Sequence, residues 1–460
     1  MAEMYATLAG IVGTEFVSDA PEEKYIYSMD PGTMPACEPD MVVMPGSTEE
    51  VQKIVQAANA QGVPLVPLGA GLVLSGLSRA LKGGVIVDMK RMNRILEVNA
   101  VSRYALVEAG TSQGMLQAYL KKHFPDLKHS VPDAPPAATI AGNISIHGSG
   151  HLSHAGGFHS DMLNGLEVVL PTGEIVKIGS CATSPYWIAR APLPDLAGLF
   201  LGWAGTTGFI TKLAVKLYPN YPFNDVGVFV CEDAALMPDI LYRLTGAQLC
   251  EDITAWMTPK PDWANGFLHC NVNYGAKTKA ELTWKRNLVR ATVETYIDEK
   301  TGGFLPLPGM MKKRFLEIPA TQLSRFADVR KGGGFEYVGA IMPAELFPDA
   351  YVLGLDVARK KGVNYSMGCR VIGVNHCIMF FYAYAFNRAD TSDVARAQSA
   401  LEETNKRVVD MGGVPWKAEE PAQKEILRKM DPNMLAMMNR VRSMLDPNHI
   451  MNPGNWEASS

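Results

Sequence analysis

The chain has 460 residues, 47% of them hydrophobic and 20% charged, enough for two domains with sizeable cores. Its formal net charge of −4 gives no electrostatic reason to expect nucleic acid or an anionic membrane surface as a partner. The seven cysteines are scattered without a Cys-x-x-Cys pair, which reads as free thiols in a reducing compartment and excludes a disulfide framework or an iron–sulfur motif of that spacing.

The N-terminal MAEMYATLAGIVG lacks a basic segment followed by a long apolar core, so no signal peptide is expected. In STEEVQKIVQAANAQGVPLVPLG, Ser47 or Thr48 can cap a helix and Glu49 and Glu50 suit its positive end. Val51, Ile54, Val55 and Ala58 follow at helical spacing, and Gly62 ends the run. PLVPL, GGVIVDMKRM and YALVEAGT read as short strands. Thr111 to His123 reads as a second helix with Met115, Leu116, Tyr119 and Leu120 on one side. MLNGLEVVLPTGEIVKIG reads as a hairpin turning at Pro171-Thr172-Gly173. Beyond residue 220, strand-like DVGVFVCE, FLHCNVNY and IMFFYAYAF alternate with the helical ALMPDILYRLTGAQL and DVARAQSALEETNKRVVDMG. KTGGFLPLPGMMKKRF is expected to be a mobile loop. The longest apolar run, Cys377–Phe386, is about half of the ~20 residues a membrane-spanning helix needs. The expectation is a soluble, cytoplasmic α+β protein divided at 1–220, 221–420 and 421–460.

Three separated glycine-rich pieces lie in the first half: PLGAGLVLSG, TIAGNISIHGSG with its neighbours up to Gly157, and GWAGTTGFITKLAVKLYP. A glycine-rich loop between strands is either a tight turn or a nest of backbone N–H groups for an anion. Neither a Rossmann G-x-G-x-x-G opening a helix nor a Walker Gly-Lys-Ser/Thr is present. Three such pieces together suggest one extended ligand contacted by main chain.

In this order the motifs resemble the flavin oxidoreductases of the vanillyl-alcohol oxidase and p-cresol methylhydroxylase (PCMH) superfamily. The first half is most similar to glycolate oxidase catalytic subunits and D-lactate dehydrogenases. The matching pieces are PDMVVMPGSTEEVQKIVQAANAQGVPLVPLG, PLGAGLVLSG, TIAGNISIHGSG, GTTGFITKLAVKLYP and LDPNHIMNPG. Each alone is weak; five in sequence cover essentially the whole chain. The resemblance implies FAD, a two-part PCMH-type FAD-binding domain and an α+β cap. It implies that Pro67, Gly69, Ala70, Gly71 and Gly76 approach the pyrophosphate, with Ser75 offering a hydroxyl. Pro132, Thr139, Ala141, Gly142 and Asn143 would line the flavin or its ribityl chain, Gly150, Gly157 and Ile210 would continue around the cofactor, and Asn452 would sit near the ring system.

The departures from the family pattern are informative. Gly71-Leu72 stands where covalently flavinylated members carry histidine, which rules out attachment there; His376, Tyr382 and Tyr384 remain candidates for attachment from the cap. The hydroxy-acid members' H-x-G-D-G-N-x-H and G-E-H-G are replaced by GCRVIGVNHCIMFFYAYAFNRAD and MGGVPWKAEE. His147, His151, His154 and His159 form either a metal cluster or, in the favoured reading, ordinary polar loop histidines; no metal is expected. Tyr382 and Tyr384 share one face of a strand, flanked by Arg370 and Arg388. They either reach a phenolate or carboxylate or form an aromatic core face, and Lys417 either anchors an anion or is solvated.

The expected activity is FAD-dependent dehydrogenation of a small alcohol or 2-hydroxy acid, with His376, Tyr382, Tyr384 and Arg370 as catalytic candidates. The alternatives are a phenol-oxidising flavoenzyme, an electron-relay subunit, and a non-redox enzyme on the same fold. The expected electron acceptor is an iron–sulfur protein, a cytochrome or an electron-transfer flavoprotein, and a homo-oligomer stays open.

Overall fold

The computed structural model describes residues 1–457 apart from 74–75, 258–267, 299, 317–331 and 375–376. The helix Thr48–Gln61 forms on the signals read from its sequence. The Ser47 hydroxyl accepts from the Glu50 N–H at 3.1 Å, Gly62 closes the helix at φ 64°, and Val51, Ile54, Val55 and Ala58 are buried. It links the strands Met41–Val43 and Leu65–Leu68, which flank Val85–Asp88 in parallel. Val17–Ser18 adds an antiparallel edge to this four-stranded sheet. On the other edge the C-terminal tail returns: the Leu65 N–H donates to the Ile450 carbonyl at 2.7 Å, and the Asn452 N–H to the Leu65 carbonyl at 2.8 Å.

A second, five-stranded antiparallel sheet runs Ile95–Asn99, Tyr104–Glu108, Phe209–Lys216, Leu163–Val169, Ile175–Gly179. The last two strands are the expected hairpin. The helix before it spans Gln113–His123. Leu116 and Leu120 are buried, while Met115 and Tyr119 face outward, so the buried stripe is narrower than the sequence suggested. The two sheets share one core that joins the helix Thr48–Gln61 to the tail residues Ile450 and Met451.

Residues beyond 220 build an eight-stranded antiparallel sheet in the order Gly302–Phe304, Phe223–Cys231, Leu268–Ala276, Asp252–Met257, Asn364–Ile372, Cys377–Asn387, Gly333–Met342, Val414–Trp416. The helices Met237–Gly246, Lys279–Val293, Phe347–Lys361 and Thr391–Met411 contribute to its core. The stretch expected to be a mobile loop instead carries the edge strand Gly302–Phe304 and the helix Gly309–Leu316, with Lys312 paired to Asp225.

Alternation along Cys377–Asn387 decides which side chains reach which layer. Ile378, Phe380, Tyr382 and Tyr384 belong to the core shared with the helices. The Tyr382 hydroxyl donates to the Ala350 carbonyl at 3.0 Å, and the Tyr384 hydroxyl is 2.7 Å from the Thr404 hydroxyl. This corrects their assignment to a substrate site or to flavin attachment. They do share a face, but it is the helix-packed one, and each hydroxyl is satisfied within the core. Met379 and Phe381, of the opposite parity, face the cavity described below.

Tyr384→Phe should therefore lower stability by about 1 kcal/mol, the usual loss for one buried hydrogen bond. Urea unfolding should register the change, and flavin content should stay the same.

Candidate active site

The two N-terminal sheets and the eight-stranded sheet enclose a cavity of about 410 Å³. Its floor is made of short side chains and bare backbone: Gly69, Ala70 and Gly71 from one loop, Ala138, Ala141 and Gly142 from another, Ala204 and Gly205 from a third. Gly69 has to be glycine, since a Cβ there would overlap the Thr139 hydroxyl of the second loop. Gly71 has φ 65°, and a Cβ there would meet nothing nearer than the Leu68 Cδ1 at 3.7 Å. The close loop-to-loop approach and the open space above Gly71 together form a cradle of backbone and small residues. An extended, phosphate-bearing cofactor fits such a surface.

The roof comes from the cap. Trp256, Phe335, Tyr337, Phe381 and Trp416 line it, with Met379, Cys369, Arg370 and Lys417. Tyr337 stacks on Phe381 at 5.6 Å between centroids and 10° between planes, and Trp256 lies 4.7 Å from Phe381. Arg370 is buried and doubly engaged: it forks onto Asp252 with both bonds at 2.9 Å and reaches Asp133 at 2.7 Å. Burial works against its charge, yet the two carboxylates hold its pKa well above the ordinary value. Burial alone would raise the Asp133 carboxyl, but Arg370 and His151 hold it well below the usual range. His151 Nε2 lies 3.1 Å from Asp133.

Two family models match the chain: an FAD binding domain over residues 39–179 and the C-terminal domain of FAD linked oxidases over residues 341–456. The chain belongs to the FAD-linked oxidase family. Its cofactor is FAD. It is 32% identical to the glycolate oxidase subunit GlcD of Bacillus subtilis over 46% of this chain and 44% of that one. It is 36% identical to the mitochondrial D-lactate dehydrogenase [cytochrome] of Arabidopsis thaliana over 39% of this chain and 30% of that one. The chain spans about half the length, or less, of the curated relatives it matches. Its fold is that of 4-ethylphenol oxidase from Gulosibacter chungangensis (TM-score 0.87, 19% identity, 99% of this chain and 96% of that one). It is equally that of p-cresol methylhydroxylase (TM-score 0.87, 19% identity, 100% and 97%).

In this FAD-linked oxidase, Pro67, Gly69, Ala70, Gly71, Pro132, Thr139, Ala141, Gly142, Asn143 and Ile210 all line the cavity. The other expected cofactor contacts sit elsewhere. Gly76 donates its N–H to Asp30 at 2.7 Å, Gly150 packs on the Val131 carbonyl, and Gly157 packs on the Asp161 carboxylate. Asn452 stands one layer back, its side-chain amide donating to the carbonyl of Ala204, which does line the cavity. Ser75 and His376 lie outside the described residues. Arg370 reaches the cavity, with its Nε and Nη2 already engaged by Asp252 and Asp133. Arg388 is exposed.

The four clustered histidines separate into individual structural roles. His147 meets Ser160 at 2.8 Å and His154 meets the Cys250 carbonyl at 2.8 Å. His159 contacts Asn143 on one ring nitrogen and Ser130 at 2.7 Å on the other. Among the described residues, no three metal-ligating side chains converge. The sequence reading underrated Trp416 and Lys417. Both lie on the cavity, and only their departure from an acidic family motif marked them.

Three outcomes are expected. Gly71→Val should abolish FAD retention, while Gly62→Val, which strains a backbone of similar φ (64°) away from the cavity, should keep the flavin; absorbance of the purified variants tells them apart. Arg370→Ala should cost about 3–5 kcal/mol in denaturant unfolding, because Asp252 is left buried without its cation and Asp133 keeps only His151. Burial pushes His159 down to about 3. The folded protein therefore binds no proton there between about pH 6.5 and 3, whereas the unfolded chain does, and stability falls as pH is lowered through that window. His159→Gln should make the acid limb of the stability curve shallower.

Proposed function

We propose that the chain is a flavin-dependent dehydrogenase that oxidises a small aromatic alcohol or phenol held between the cap and the flavin ring. In this reading residues 1–220 hold FAD, 221–420 form the cap, and 421–460 return to the FAD side. The observation that carries it is the cavity roof, where Trp256, Tyr337, Phe381 and Trp416 line the space together and pack on one another. A planar apolar substrate buries well against such rings, and offset or edge contacts add to simple burial. The names of the two structures of the same fold, 4-ethylphenol oxidase and p-cresol methylhydroxylase, agree with this class.

FAD, when bound, supplies the acceptor for the two electrons that leave the substrate. The chain's own part is positional. The glycine-rich floor sets the height of the flavin, the aromatic roof orients the substrate ring, and the apolar enclosure keeps water from the reacting carbon. Electrons then leave to a partner protein, a cytochrome, iron–sulfur protein or electron-transfer flavoprotein. The seven cysteines of this chain are separate free thiols, five of them buried.

A second reading, oxidation of a 2-hydroxy acid, draws on the glycolate oxidase and D-lactate dehydrogenase relatives. Anaerobic flavin bleaching separates the two. Para-alkyl phenols and benzylic alcohols should reduce the flavin, and glycolate and D-lactate should not. The opposite pattern would reverse the assignment. An electron relay would bleach with neither and only through its partner. Acid precipitation should release the FAD into the supernatant, since Leu72 cannot bond to it and Tyr382 and Tyr384 face away.

A further inference from the structure

Among the described residues that line the cavity, three are exposed, and they mark its mouth: Pro31, Gly71 and Leu72. Gly71 and Leu72 belong to the first glycine-rich loop of the floor. Pro31 comes from the segment between the helix Pro21–Tyr27 and the strand Met41–Val43. That segment is bonded to both walls. Its middle is tied to the cap. The Pro31 carbonyl accepts from the Phe335 N–H at 3.0 Å, on the edge of Gly333–Met342 that Val414–Trp416 covers only at residues 339–341. Thr33 donates both its N–H and, at 2.7 Å, its hydroxyl to the carboxylate of Glu336, which is fully buried. Its two ends are tied to the chain that follows the floor loop. Asp30 accepts from the Gly76 N–H at 2.7 Å and lies 3.6 Å from the Arg79 guanidinium, which also donates to the Pro35 carbonyl. The turn between is tight: the Gly32 N–H donates to Asp30 at 2.7 Å, and a Cβ on Gly32 would overlap the Asp30 and Glu336 carboxylates.

We propose that residues 30–35 are a noncovalent latch for FAD: a strap across the mouth of the cavity that must release the cap or the floor before the cofactor can enter or leave. The inference needs only the cofactor and holds for either substrate class. A flavin without a covalent bond stays in place only as long as its way out is closed. The strap closes it with bonds that are costly to open. Asp30 and Glu336 each accept through a carboxylate, and such bonds are shorter and stronger than neutral ones. Opening breaks them, and reclosing restores them with the cofactor in or out. The strap therefore raises the barrier to passage in both directions, so it slows release and uptake together and changes the rates more than the affinity. Its two anchors also divide the labour: Asp30 and Pro35 move with the floor loop, Pro31 and Thr33 with the cap strand, so a closed strap reports that both walls are in register.

The test follows FAD leaving the loaded protein. After dilution, the growth of free-FAD fluorescence gives the release rate, and the level finally reached gives the affinity. Thr33→Val, which keeps the shape of the side chain, and Glu336→Gln loosen the cap anchor; Asp30→Ala removes the floor anchor. Each should speed release roughly tenfold or more, the scale of one hydrogen bond to a charged group, while the affinity changes by a smaller factor. Tyr384→Phe, in the cap but away from the strap, should release FAD at the wild-type rate. If Asp30→Ala does not fold, Asp30→Asn, which loses the charge facing Arg79, is read in its place. Wild-type release rates in Thr33→Val and Glu336→Gln would overturn the latch. Faster release matched by an equal loss of affinity would also overturn it, because the strap would then be an ordinary binding contact. So would unchanged release with altered bleaching of the flavin by substrate, which would make the strap a substrate gate.

Discussion

One buried guanidinium joins the two walls of the cavity. Arg370 extends from a cap strand, forks onto Asp252 of the adjacent cap strand, and reaches Asp133 of the loop that belongs to the cofactor side. Buried ion pairs contribute little net stability against an apolar replacement, because desolvation offsets their attraction, but they are unforgiving of a missing partner. What this one contributes is registry. It ties the strand Asn364–Ile372 to the loop that carries Asp133 on the opposite wall. Around it the seam is completed by polar bonds from both sides: Trp416 to His147, His154 to Cys250 and Thr33 to Glu336. The same cluster has an electrostatic consequence. With two carboxylates on one guanidinium, the Arg370 end has no positive charge to spare for an anionic substrate. Lys417, on the same cavity, is flanked by the Tyr337 and Trp416 rings.

The legible parts of the sequence were those fixed by local rules. The capped helix Thr48–Gln61, the hairpin Leu163–Val169 with Ile175–Gly179, and the glycine-rich floor each follow from residues close together in the chain. The cap strand Cys377–Asn387 was legible as a strand and illegible in orientation. Period-two alternation puts Tyr382 and Tyr384 on one face and Phe381 on the other, but nothing local says which face meets the helices. Tyrosine is a poor guide, because its hydroxyl can be satisfied in a core as well as in a site; here Ala350 and Thr404 satisfy both. The partners of Arg370 are illegible for a related reason. Its partners lie 118 and 237 positions away, and a sequence does not show that a cation is already spoken for. Lys417 was hidden in the opposite way: its environment is made by Tyr337, eighty positions earlier, and by a backbone conformation that no propensity favours.

The two kinds of wall also account for how similarity is distributed along the chain. A floor of glycines and alanines tolerates few changes, since an added Cβ either collides with a neighbouring loop, as at Gly69, or enters the open space of the cavity, as at Gly71. The FAD binding domain model accordingly matches residues 39–179, which include the first two of the three glycine-rich pieces. The roof is specified differently. Its strands are held by main-chain hydrogen bonds and by the helix-facing side chains, so every second residue facing the cavity can change without disturbing the sheet. The same overall fold can then appear at 19% identity, as the likeness to p-cresol methylhydroxylase shows. Substrate choice in such a fold is carried by a handful of cavity-facing side chains. In this chain the roof carries five aromatic rings, from Trp256, Phe335, Tyr337, Phe381 and Trp416, with Arg370 and Lys417 as its cations, and a change at any of them would alter the cavity without touching the sheet's hydrogen bonds.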